Sequence, residues 1–371
     1  MKLLFFSNSL RGGGAERVLI NITTALAHRG HDVTIALNLD EIAYEVDPMV
    51  KIVKAPRKAK KGSENVFIRT LRNIQNAICY FKFTGKIIRE VQPEVIITFL
   101  FCNMQAIVHY HGSIPIIHSE HNAYDRKNRR VQYYKRFYTN KKFDKVFVLT
   151  PFDQGFAKAK GITNTVVMPN SNSFESITQE DYDRYYSVRS NILLCGRVNQ
   201  WHVKGFDFAI KAFSHIAEKY PEVDIDIAGD GSEEAKLQLE KIADECGVKK
   251  RIHFIGRRSD IEQVMRNHKV FLLSSRTEGF PMVLTEAMSQ GMACVSYERL
   301  ASSIINDGLD GLLVESGVDS LSIALDCLLS DNNMCYQLGN AAIKNVARFS
   351  RETITRRWEH EMSLLVKCLN E

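Results

Sequence analysis

SSRTEGFPMVLTEAMSQG, residues 274–291, is the stretch around which the rest of the chain is read. An apolar run of strand length, Val270–Leu273, leads into it, and it closes on Gly291, which suits the position just past a helix end. Pro281 fits the first turn of a helix, where its missing N–H would find no partner in any case. Met282, Val283, Leu284, Ala287 and Met288 then supply one apolar face. The pattern is strand, tight turn, helix, with Glu278 in the turn and Glu286 on the helix. Free N–H groups and the positive end of the helix dipole make such a turn an anion site. Carboxylates beside an anion need a further reason, and the hydroxyl groups of a sugar supply one.

Seven residues separate Glu278 from Glu286, Ser-Arg-Thr precedes the first and an alanine follows the second. Two glutamates at this spacing also occur by chance on a solvated helix. The whole string is far more specific, and it resembles the signature of the retaining glycosyltransferases of family 4. The resemblance implies an α/β architecture of the GT-B type, two Rossmann-like doubly wound domains facing across a cleft.

Length and composition agree with that scale. A chain of 371 residues suits two domains of ordinary size, with the apolar and charged fractions of a soluble globular protein. No apolar stretch reaches the roughly 18–20 residues that span a bilayer, and MKLLFFSNSLRGGG reads as a first strand rather than a signal peptide. The eight cysteines form no CxxC pair, so they are expected to be reduced core residues of a cytoplasmic protein with no metal site. Charge is uneven. Residues 1–170 hold 26 Lys+Arg against 13 Asp+Glu, a balance of +13, whereas residues 171–371 hold 23 against 30, a balance of −7. A basic first half points to an anionic partner for that half.

Taken in order, Leu3–Ser7 reads as a buried strand, Gly12-Gly13-Gly14 as a turn, Ala15–His28 as a helix and Asp32–Leu37 as the next strand. The glycines allow close backbone approach to a diphosphate or sugar, and their spacing is not the GxGxxG of a dinucleotide fold. From Lys51 to Glu90 a basic loop, KAPRKAKKG, leads into an amphipathic, basic, aromatic-containing helix. Such a helix suits anionic lipid headgroups; a helix packed on a sheet with a solvated basic face is the plainer alternative. A second basic-aromatic stretch, Arg126–Lys142, favours the interfacial reading, and nucleic acid is not expected because no recognition motif accompanies it. Strands are expected at Val95–Phe99, Ile114–His118, Lys145–Leu149 and Thr165–Met168, with His118 and His121 at the end of the second of these. The polar, aperiodic stretch 171–188 is expected to link a first domain, 1–170, to a second, 189–350. In the second, strands Asn191–Cys195, Val223–Ala228, Ile252–Ile255, Met292–Ser296 and Gly311–Val314 flank a helix over Phe206–Lys219 and the opening stretch. The resemblance implies that the last helix, within 351–371, crosses back to the first domain.

The site also follows from the resemblance. A nucleoside diphosphate sugar would lie with its diphosphate between Gly12–Gly14, Arg197, Lys204 and the helix after Pro281, with Met282 and Val283 in its first turn. Two cations in a loop ahead of a helix suit a leaving diphosphate. Glu286 would hold the ribose. Glu278, with the N–H groups of Gly279 and Phe280, would hold the donor sugar. Gly229 and the Gly256-Arg257 loop would lie on the nucleotide side, and His121 would face the sugar and acceptor. The catalytic set is therefore His121, Arg197, Lys204 and Glu278, with no metal and no cofactor beyond a UDP-sugar co-substrate. Expected partners are that donor and a lipid-linked or anionic glycan acceptor, at the cytoplasmic face of the inner membrane. A GT-B nucleotide-sugar epimerase is the alternative enzyme, and a non-catalytic glycan- or nucleic-acid-binding protein of the same fold the alternative of another class. The chain departs from the family at Ala301-Ser302-Ser303, where many members carry Gly-Pro-x-Glu.

Overall fold

Long runs of fully buried apolar residues, too short for helices and bounded by glycine or polar turns, form parallel strands covered on both faces. The computed structural model describes residues 1–11, 13–56, 66–99, 104–121 and 138–370. Contacts divide the chain into two units, one made of Met1–Ser171 with Arg351–Glu371 and the other of Asn172–Ser350.

The first unit holds β1 (Lys2–Ser7), β2 (Asp32–Leu37), β3 (Val50–Lys54), β4 (Val95–Phe99), β5 (Ile116–Ser119), β6 (Lys145–Val148) and β7 (Thr165–Val167). They pair in the order β3-β2-β1-β4-β5-β6-β7, every neighbour parallel. β3 is not among the strands expected from sequence; it precedes the basic loop KAPRKAKKG and shares only Lys54 with it. Its burial is patchy because it is an edge strand, which leaves Lys51 and Lys54 exposed and no clean apolar run to find. Helix Gly14–His28 buries Val18, Leu19, Ile22 and Leu26, and Gly30 follows with φ +87°, the left-handed turn that glycine accepts at a helix end.

Helix Arg351–Asn370 packs on this sheet, with Ile354, Trp358 and Met362 buried at helical spacing. Trp358 meets Phe147 edge-on at 4.7 Å and stacks on Phe99 at 5.9 Å. Glu359 accepts from Arg29 and pairs with His31, each at 2.9 Å.

The second unit holds β8 (Ser190–Cys195), β9 (Ile225–Ala228), β10 (Ile252–Gly256), β11 (His268–Leu273), β12 (Ala293–Tyr297) and β13 (Leu312–Val314), in the order β10-β9-β8-β11-β12-β13. The expected helix over Phe206–Lys219 ends at Ser214, and a 3₁₀ turn covers Ala217–Lys219. The stretch 171–188 is not simply a linker: Thr178 caps a helix, Gln179–Tyr186, in the second unit. Tyr182 is fully buried there and its hydroxyl donates to the Tyr336 carbonyl at 2.9 Å. One apolar face among acidic residues carries too little periodicity to reveal that packing.

The cysteines are also less uniform than expected. Cys294 and Cys335 are buried, Cys79, Cys195 and Cys246 half-buried, and Cys327 exposed; all six are free thiols. Among the described residues no helix is long and apolar enough to cross a membrane.

Candidate active site in the second unit

In the second sheet the chain builds outward from β8 to β9 and β10, then returns to β8's other side with β11. The strand order thus reverses between β8 and β11, and such a switch point is where an open parallel sheet takes its ligands. β8 runs into Gly196-Arg197, a 3₁₀ turn Val198–Gln200 and one helical turn, Trp201–Lys204. Gly205 then turns left-handed at φ +65°, and a Cβ there would fall 1.8 Å from the Ser274 carbonyl oxygen. The two loops are pressed backbone to backbone, and only glycine fits between them. The Arg276 N–H donates to the Val203 carbonyl at 2.8 Å, and Ser274 Oγ to the Lys204 carbonyl at 3.2 Å. Gly229 repeats the device one strand over, where a Cβ would meet the Gly196 carbonyl oxygen at 1.8 Å.

This close backbone packing brings Lys204 and Glu278 together, 74 residues apart in sequence. Lys204 Nζ donates to Glu278 Oε1 at 2.9 Å, and Ser275 Oγ donates to the same oxygen at 2.7 Å. The two side chains are 21% and 15% exposed, so the pair is partly withdrawn from water yet open to a ligand. The stem of Lys204 lies over Gly196, where a Cβ would approach it to 3.2 Å. Glu286 is buried on helix Met282–Ser289. Burial chiefly raises the Cys195 thiol above its ordinary value, the charge of Glu286 raises it further, and that of Lys204 lowers it. Cys195, at the end of β8, is thus within electrostatic reach of both.

No side chain caps the start of helix Met282–Ser289. Phe280 is buried, its ring edge-on to Phe349 at 5.5 Å. Met282 and Val283 are half-buried, and Arg197 is exposed just beyond Gly196. Gly256 turns left-handed at φ +68°, and the exposed Arg257 after it lies 3.9 Å from Asp230.

Sequence reasoning passed over the clamp behind this pair. Arg276 Nη1 and Nη2 donate to Asp207 at 2.8 and 2.6 Å, Nη1 also reaches the His202 carbonyl, and the guanidinium lies 3.8 Å over the Phe208 ring. The hydrogen bond to Asp207 holds the guanidinium above its ordinary pKa. A signal was present, since opposite charges follow two strands that pair, Asp207 in the first turn of helix Phe206–Ser214 and Arg276 in the turn after β11. It becomes readable only once β8 and β11 are known to be neighbours.

The first unit has its own switch point, between β1 and β4. Gly12 lies outside the described residues. Gly13 caps helix Gly14–His28 with extended backbone, accepts from the Tyr44 hydroxyl at 2.9 Å, and has the Glu16 carboxylate folded against it. The two histidines separate clearly. His118 is fully buried within β5, 2.7 Å from Thr98 Oγ1, a structural position. His121, past the strand end, stacks on Phe99 at 4.6 Å with Nε2 3.0 Å from Ser119 Oγ. Desolvation lowers its imidazole to about 4, Glu120 opposes the shift and His118 adds to it. His121 is therefore neutral at pH 7.

A family model described as "Glycosyltransferase Family 4" matches residues 12–171, and one described as "Glycosyl transferases group 1" matches residues 189–345. The chain belongs to glycosyltransferase family 4. Its two Rossmann-like sheets are those of the GT-B fold. Among similar family members is an uncharacterized glycosyltransferase of Haemophilus influenzae, 25% identical over 96% of this chain and 98% of its own length. Another, from Campylobacter jejuni, is 26% identical over 96% of this chain and 97% of its own. Its name makes it an α-1,4-N-acetyl-D-galactosaminyltransferase for a GalNAc-extended, diNAcBac-PP-undecaprenol glycan. Anabaena HepE, solved in complex with UDP-glucose, superimposes with a TM-score of 0.76 at 18% identity, covering 98% of this chain and 99% of that one.

Proposed function

We propose that this glycosyltransferase moves an N-acetylhexosamine or hexose from a UDP-sugar to a membrane-associated glycan, with retention of anomeric configuration. The acceptor is a polyprenyl-diphosphate-linked oligosaccharide or lipopolysaccharide, extended at the cytoplasmic face of the inner membrane during surface polysaccharide synthesis. The observation that carries this reading is the Lys204–Glu278 pair at the second sheet's switch point, a cation for a diphosphate beside a carboxylate for sugar hydroxyls. The UDP donor is supported by the Anabaena neighbour's ligand, and the lipid-diphosphate acceptor by the Campylobacter relative's name.

In this reading the bond from C1 of the donor sugar to the β-phosphate oxygen breaks, and its electron pair leaves with the phosphate. Lys204 and Arg197 meet the charge that develops there, with the free amides at the start of helix Met282–Ser289, and no metal is required. Such preorganised electrostatic stabilisation is often the largest catalytic contribution. The acceptor hydroxyl oxygen bonds C1 on the same face, and its proton passes to the departing phosphate oxygen. Glu286 holds the ribose, Glu278 and the amides of Gly279 and Phe280 hold the donor sugar, and neither carboxylate acts as nucleophile. Gly229 and the Gly256-Arg257 loop border the nucleotide. In the first unit, Gly13 and Gly14 and the neutral His121 are assigned to the same reaction.

The decisive experiment offers a panel of nucleotide sugars with and without a polyprenyl-diphosphate-linked acceptor, followed by mass spectrometry. The expected result is an acceptor heavier by one or more sugar residues with a UDP-sugar, and an α-linkage by NMR. Conversion of a UDP-sugar with no acceptor present would move the assignment to an epimerase. Turnover with neither would overturn the reading.

A further inference from the structure

The longest helix of the first unit, Val66–Val91, has two unlike faces. Asn76, Tyr80, Phe83, Thr84 and Ile87 are buried and share one side. On the opposite side, roughly 160° around at ~100° per residue, stand Phe67, Leu71, Ile74 and Ile78. They are 76%, 49%, 52% and 51% exposed. Single exposed apolar residues are ordinary, but four in one helical row, ~16 Å long at 1.5 Å per residue, are not.

The same row continues through Lys82, Gly85 and Arg89. Around Gly85 the helix Met104–Tyr110 covers it: a Cβ there would meet the Tyr110 ring at 2.8 Å, and neighbouring Phe81 packs on Tyr110 at 5.0 Å and His109 at 5.3 Å. Lys82, Lys86 and Arg89 remain exposed beside it, Lys86 within 3.5 Å of Glu90 in a surface pair that is weak. The face is thus apolar at its N-terminal end and basic at its C-terminal end.

That order argues against a second copy of the chain as the occupant. Antiparallel pairing would set apolar residues on cations, and parallel pairing would set cations on cations. An anionic bilayer satisfies both ends, because the acyl boundary takes the apolar row and phosphate headgroups take the cations. We propose that Phe67, Leu71, Ile74 and Ile78 enter the headgroup–acyl boundary of an anionic membrane while Lys82, Lys86 and Arg89 hold its phosphates. The inference rests on the proposed function only in that it puts the enzyme where a lipid-linked acceptor lies.

The test uses the full chain and contains neither donor nor acceptor, so its result stands apart from the transfer assay. Vesicles of phosphatidylcholine alone, or mixed with phosphatidylglycerol, are sedimented with the wild type and with a variant carrying Phe67→Gln, Leu71→Gln, Ile74→Gln and Ile78→Gln. Glutamine keeps helix propensity and the four positions are exposed, so circular dichroism and melting should not change. The wild type should bind the anionic vesicles, less tightly as salt rises, and the variant at least about tenfold more weakly. In a separate Phe67→Trp protein, the fluorescence contributed by the new indole should shift to the blue on adding anionic vesicles. Equal binding by wild type and four-glutamine variant, or no shift at position 67, would overturn the proposal. So would a wild-type dimer that the four substitutions make monomeric, which would give the row to a second copy instead.

Discussion

Lys204 owes its position to backbone contacts and its direction to one carboxylate. Its ion pair with Glu278 is partly buried, so removing the ammonium leaves a carboxylate still held by Ser275 and still in partial contact with water. Lys204→Ala should therefore cost only about 1–2 kcal/mol in unfolding. If Lys204 meets the leaving phosphate, turnover should fall by about 10²-fold or more. Steady-state kinetics beside a denaturation curve separates the two; unchanged turnover would remove Lys204 from the catalytic set.

His121 makes a prediction about pH. Its folded pKa of about 4 lies below the ordinary histidine value, so the unfolded chain binds more protons between the two. Stability from this group is complete above about pH 6.5, is lost as pH falls toward 4, and is reduced by about 2 kcal/mol at pH 5. A His121→Gln variant should lose less stability than the wild type between pH 7.5 and 5, as read from urea midpoints. Parallel curves for the two proteins would show that the imidazole is not desolvated.

At the scale of elements, the loops after β8 and β11 act as one piece. Gly205→Ala puts a side chain where the Ser274 carbonyl stands and strains a left-handed residue, which costs about 1–2 kcal/mol before any clash. The loops must then part, so the variant should melt lower and lose donor affinity together, as calorimetry and nucleotide titration would show. Arg276→Gln tests the same unit from the other side. It gives up the paired hydrogen bonds to buried Asp207, worth about 2 kcal/mol or more, without touching the Lys204–Glu278 pair. A positioning role predicts lower kcat with a loosened donor KM, restored in part by Arg276→Lys; a stability loss with unchanged kinetics would make the clamp purely structural.

At the scale of the molecule, each unit contains one of the two tryptophans, Trp358 in the first and Trp201 in the second. Trp358 is buried among Phe5, Phe99 and Phe147, and Trp358→Ala should destabilise the first unit by about 3–5 kcal/mol. Followed by Trp201 fluorescence, that variant should still unfold its second unit near the wild-type denaturant midpoint. A matching drop in both would mean that the units unfold as one.

Much of this was legible along the chain. Asp32–Leu37 and Val95–Phe99 form strands at the expected bounds because each is a buried apolar run that no helix of that length could use. Glu278 and Glu286 stood out through local spacing, and Gly291 through the helix end it closes with φ +71°. Local chemistry thus determined the strands, the helix starts and the family signature. β3 and helix Gln179–Tyr186 were not legible, one for want of an apolar face at a sheet edge and the other because a single buried tyrosine anchors it. The Arg276–Asp207 clamp, the role of His118 as a structural residue and the union of Lys204 with Glu278 were decided only by the tertiary structure. Each depends on strands brought side by side by sheet order, a long-range pairing that no local pattern encodes.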